Sequence, residues 1–135
     1  MCGEIDENLS INADILHQFQ YLAAKQIGDV KAMPAPSPVN LDQPDGRATY
    51  MRQLFNHILA DMAQQLQQAE DTEVVDTIAS QAIALARLAG FVGGQLPPAS
   101  DLYRATIDAV SAGHDDCRRM LKDGHHDHHH GHHHH

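Results

Sequence analysis

The sequence predicts an all-α fold: a four-helix bundle with a long Pro-rich crossover between helices 1 and 2 and a flexible His-rich C-terminal tail. Three observations lead there. Apolar residues recur at spacings of three and four in four separate segments. Alanine, the strongest helix former, occurs 18 times. No alternating, β-branched run is present from which a strand might be built.

The first helix is expected over residues 9–28, where Ile15, Leu16, Phe19, Leu22, Ala23 and Ile27 share one face, with Ser10 as N-cap and Gly28 as stop. Residues 31–46 read as the connector. Met33-Pro34-Ala35-Pro36-Ser37-Pro38 and Pro44-Asp45-Gly46 favour extended backbone there. At about 3.1 Å per residue such a connector reaches roughly 50 Å, enough to let the next helix run in either direction. Helix two is expected over residues 49–69, with Met51, Leu54, Phe55, Ile58, Leu59, Met62 and Leu66 as its inner stripe. Glu70-Asp71-Thr72-Glu73 supplies a cap and first-turn acids for a new helix, so the chain breaks there.

Helix three, residues 73–92, is apolar on most faces, a pattern found in central helices or in helices covered by a partner chain. Gly93-Gly94 ends it, Pro97-Pro98 delays the next helix, and Ser100 stands where an N-cap belongs. Helix four spans residues 101–122. Tyr103, Ile107, Val110, His114, Cys117 and Leu121 repeat along it at four, three, four, three, four, which is a coiled-coil seam. The bundle domain covers residues 1–123 and the tail 124–135.

A length of 135 residues suits one domain. The formal net charge of -9 repels phosphate backbones and anionic lipid, so neither a nucleic-acid nor a membrane partner is expected. Two cysteines are too few for a disulfide scaffold, and Glu4, Asp6 and Glu7 stand where a signal peptide needs positive charge. The expected setting is cytoplasmic. Apolar coverage of helix three and the seam of helix four point to a homodimer.

The chemistry concentrates in the tail. His125, His126, His128, His129, His130, His132, His133, His134 and His135 fill nine of its last eleven positions, interrupted only by Asp127 and Gly131. Neutral imidazole is a good ligand for nickel, zinc and copper, and so dense a string offers overlapping sites without needing a fold. Selectivity does not follow, because a flexible string imposes no geometry. A purification tag has a similar composition, but Asp127 and Gly131 set this segment apart from an uninterrupted one. No organic cofactor is expected.

A second candidate is the pair His114 and Cys117, three apart on one helical face, with Asp115 or Asp116 beside them and Cys2 as a further candidate ligand. Two local ligands fall short of the four a structural zinc site takes, and burial in the seam is the other role open to both residues. His57 and Asp61, one turn apart on helix two, form a third pair in which a carboxylate can orient an imidazole.

In composition the tail resembles the His-rich termini of nickel metallochaperones and metal-storage proteins, which implies metal sequestration or delivery and a metal-receiving partner protein. The stretch Arg52-Gln53-Leu54-Phe55-Asn56-His57 resembles the Arg, four residues, His motif of the HEPN ribonucleases, which are all-helical and often dimeric. It departs from that pattern at Gln53, where a polar His, Asp or Asn is usual. Met1-Cys2-Gly3 is similar to the start of glutamine amidotransferases with an N-terminal cysteine nucleophile, but those need a β-sandwich that this chain has no strands to build. The reading is therefore a non-enzymatic, metal-binding helical protein. Its alternatives are a homodimeric interaction protein with an incidental tail and a HEPN-like ribonuclease.

Overall fold

The computed structural model describes residues 2–28 and 33–133, with side chains described for residues 9–28 and 33–124. Among the described residues the chain is all-helical and contains no strand. Four helices follow in order: α1 (Cys2–Ile27), α2 (Pro44–Gln67), α3 (Val74–Gly93) and α4 (Leu102–His133), with a short 3-10 turn at Pro98–Ser100. The chain divides into two compact units, Met1–Gln81 and Ala82–His135.

The helix ends show which local signals acted. Gly28 stops α1 in the left-handed conformation, φ 72°, with its N–H on the Ala24 carbonyl at 2.8 Å. At the other end α1 begins at Cys2, well before Ser10. No proline or glycine pair separates the acidic first residues from the apolar stripe, so nothing forces a helix to wait for its best cap. Helix α2 begins at Pro44, inside the stretch expected to be connector. Proline is tolerated at the first helical position, where its fixed φ suits the helix and its missing N–H has no partner to lose. The break between α2 and α3 falls at residues 68–73, as expected. Ser100 does not cap α4. Its hydroxyl donates to the Pro97 carbonyl at 2.8 Å within the 3-10 turn, and Asp101, left-handed at φ 54°, leads into the helix.

In the first unit α1 lies against α2. The buried apolar side chains are Ala23 of α1, Ala60, Ala63 and Leu66 of α2, and Val74 at the start of α3. This face overlaps the expected inner stripe of α2 only in part: Leu66 is buried and Leu54, Leu59 and Met62 are half-buried, whereas Met51 is 62% and Phe55 53% exposed. Alanines at three-residue spacing allow two helix backbones to approach closely, and that contact takes the interface. Asn12 is the one buried polar residue among the described side chains, 2% exposed, and its Oδ1 accepts the N–H of Val75 at 2.9 Å. A side chain of α1 thereby satisfies a free N–H in the first turn of α3. Gln81 adds a second tie, donating from Nε2 to the Met62 carbonyl at 3.2 Å. Asn12→Ala leaves the Val75 N–H without this acceptor and is expected to cost about 1–3 kcal/mol in unfolding free energy, measured by chemical denaturation.

In the second unit, Gly93 lets Leu102 pack close to the α3 backbone, since a Cβ on Gly93 would lie 3.2 Å from Leu102 Cδ2. The apolar surface of this unit is otherwise largely open. Ile83 is 69%, Phe91 72%, Tyr103 77% and Val110 60% exposed. By length and composition α3 is also apolar enough to cross a membrane, at a mean hydropathy of 1.3. Helix α4 runs through to His133, whereas an irregular tail is expected from residue 124. No proline interrupts the segment, so the backbone continues past Gly124 and Gly131.

Candidate metal centre

His134 and His135 lie outside the described residues, as do the side chains of His125, His126, His128, His129, His130, His132 and His133. The backbone of residues 125–133 is helical, and this sets their register. Positions 125 and 129, 126 and 130, 128 and 132, and 129 and 133 each stand one turn apart along the same helix face. That is the spacing at which two imidazoles can share one metal ion.

His114 and Cys117 both lie on α4, one turn apart. The imidazole of His114 is 76% exposed and its Nδ1 is 3.9 Å from the Asp115 carboxylate. Cys117 is a free thiol with part of its surface open. Asp116 is engaged elsewhere, its Oδ1 accepting from Arg119 at 2.6 Å. Among the described residues no three potential ligands gather around a common point, and the side chain of Cys2 lies outside them. His114 and Cys117 therefore form an accessible two-ligand pair. Within the chain, His114 is not packed into a seam.

His57 has a structural environment. Its Nδ1 is 2.6 Å from the Met33 carbonyl, to which a protonated Nδ1 donates, and its Nε2 is 3.6 Å from Asp61 Oδ2. The Met33 carbonyl holds the ring and so ties residues 33–43 to α2, while the Asp61 carboxylate stands one turn away beyond hydrogen-bond distance. Arg52, the other half of the Arg and His motif, is exposed.

The connector and the first turn of α2 enclose an open depression of about 630 Å³, bordered by Val39, Asn40, Asp45, Thr49 and Tyr50 among others. Sequence patterning gives no hint of it, because it depends on Asn40 adopting the left-handed conformation, φ 56°. Comparison with protein-family models, with curated proteins and with solved structures finds no match.

Proposed function

We propose that this protein binds a transition metal, nickel, zinc or copper, through its C-terminal histidines. In this reading a four-helix bundle carries the segment as a sequestering or delivery module, and the ion is cargo for a receiving protein rather than a catalyst. The observation that supports it is the density of nine histidines in eleven residues, at positions that recur one helical turn apart. Overlapping two-nitrogen sites of this kind bind strongly to borderline metals and follow the general stability order, with copper near its top.

The experiment is a calorimetric titration of nickel, zinc and copper into the full chain and into a chain ending at Gly124. Loss of most metal equivalents on truncation is expected, and unchanged stoichiometry contradicts the reading. Only neutral imidazole ligates, so the affinity of the full chain is expected to fall as pH drops through the histidine range, about 6.5.

A second reading, an interaction protein that pairs with its own copy, is favoured by the uncovered apolar side chains of α4.

A further inference from the structure

We infer that His57 and Asp61 of α2 form a divalent-cation site, in which the imidazole Nε2 and the carboxylate Oδ2 share one zinc-type ion whose other positions are open to water. None of the C-terminal histidines takes part.

The ring is already fixed in the ligating tautomer. His57 Nδ1 is 2.6 Å from the Met33 carbonyl oxygen. A carbonyl only accepts, so Nδ1 carries the proton and donates it. In the neutral ring that leaves Nε2 with a bare lone pair, the form in which imidazole binds a metal. A ligating histidine characteristically donates its other N–H to a backbone carbonyl or a carboxylate, which orients the ring and makes the free nitrogen more basic. Met33 lies 24 positions before His57, so the fold rather than the local helix supplies this partner.

Distance identifies the second ligand. Nε2 stands 3.6 Å from Asp61 Oδ2, one turn along α2. Both atoms are acceptors, and two acceptors this close repel unless a cation lies between them. A shared proton draws such a pair to about 2.7–2.9 Å. An ion bonded to each at about 2.0–2.2 Å, with a tetrahedral angle between the bonds, holds them about 3.4 Å apart. The observed gap lies closer to the second value.

The His57 and Asp61 side chains are 25% and 52% exposed, so an ion reaches them from solvent, and the net charge of -9 draws cations to the chain. Among the described residues no third His, Cys, Asp or Glu joins the pair. Two protein ligands with water completing the shell bind less tightly than a closed four-ligand set, so this site fills after the nine C-terminal imidazoles. An imidazole with a carboxylate suits zinc and nickel. A bound ion also makes Nδ1–H a stronger donor, and it thereby tightens the tie between residues 33–43 and α2.

The test is a zinc titration of the isotope-labelled full chain, carried past the capacity of the C-terminal segment at a pH well above about 6.5. Nuclear magnetic resonance reads the two ring nitrogens of His57 separately. Before zinc, Nδ1 is expected to be protonated and Nε2 bare. With zinc, Nε2 is expected to move to the metal-bound position while Nδ1 keeps its proton. Asp61→Asn changes a half-exposed side chain and leaves the bond to Met33 in place. It is expected to raise the zinc concentration that half-saturates the His57 signal by at least about tenfold. The C-terminal rings give their own signals, so failure of metal binding there is told apart from failure at His57. An Nε2 that does not move at millimolar zinc, an equal zinc response in Asp61→Asn, or a zinc-free ring protonated at Nε2 instead of Nδ1 overturns the inference.

Discussion

Leu66→Ala is expected to lower the free energy of unfolding by about 2–5 kcal/mol, because it removes a leucine that is 2% exposed and leaves a cavity between helices. Among its described side chains the first unit buries few apolar ones, and Leu66 and Val74 are the largest of them. A loss of that size is a large fraction of the roughly 5–15 kcal/mol that holds a typical domain folded. Urea denaturation followed by circular dichroism measures it. Ile11→Ala, on the same unit but 55% exposed, is the matched control and is expected to change stability by no more than about 0.5 kcal/mol. Equal losses in the two variants would place the core somewhere other than the α1 and α2 contact.

Gly46→Ala is expected to be the most damaging glycine-to-alanine change among the described glycines. A Cβ there would lie 2.0 Å from the Asn40 carbonyl oxygen, a backbone atom with nowhere to go. That oxygen accepts the Gln43 N–H at 3.1 Å, and Arg47 Nη1 donates to the neighbouring Leu41 carbonyl at 3.0 Å, so moving the turn breaks its own hydrogen bonds. The cost is expected to be about 1–3 kcal/mol or more, visible as a lower Tm. Gly90→Ala provides the contrast. Nothing lies within 4 Å of a Cβ at that helical position, and the change is expected to stabilise by about 0.5–1 kcal/mol. Opposite signs for the same chemical change distinguish a steric requirement for glycine from an incidental one.

The residues that carried their structure in the sequence are those with local physics. Gly28 ends a helix because left-handed backbone suits glycine, and the acids at residues 70–73 precede a helix start because they suit its positive end. The all-helical class follows from composition and period together. Proline misled at Pro44, since the residue that ends a helix interior also begins one. Leu66 of the buried face of α2 was in the expected stripe, but its alanines were hidden for another reason. Met51, Phe55 and Ile58 are larger and more apolar than Ala60 and Ala63, yet close backbone approach selects small side chains, and hydropathy does not measure approach distance. Asn12 was equally silent, because its partner at Val75 is 63 positions along the chain. The seam of α4 was legible as a pattern. What the pattern cannot say is whether the covering helix belongs to the same chain, and Tyr103 at 77% exposure leaves that face open.

Of the 12 histidines, three lie outside the C-terminal segment: His17, His57 and His114. Nuclear magnetic resonance of the imidazole ring protons during addition of substoichiometric copper(II) or nickel(II) resolves which of them meet the ion. Broadening first among the nine C-terminal rings, with His17 and His57 unchanged, is the expected result. Broadening that begins at His57 or His17 while the C-terminal rings stay sharp would contradict metal capture by the histidine segment.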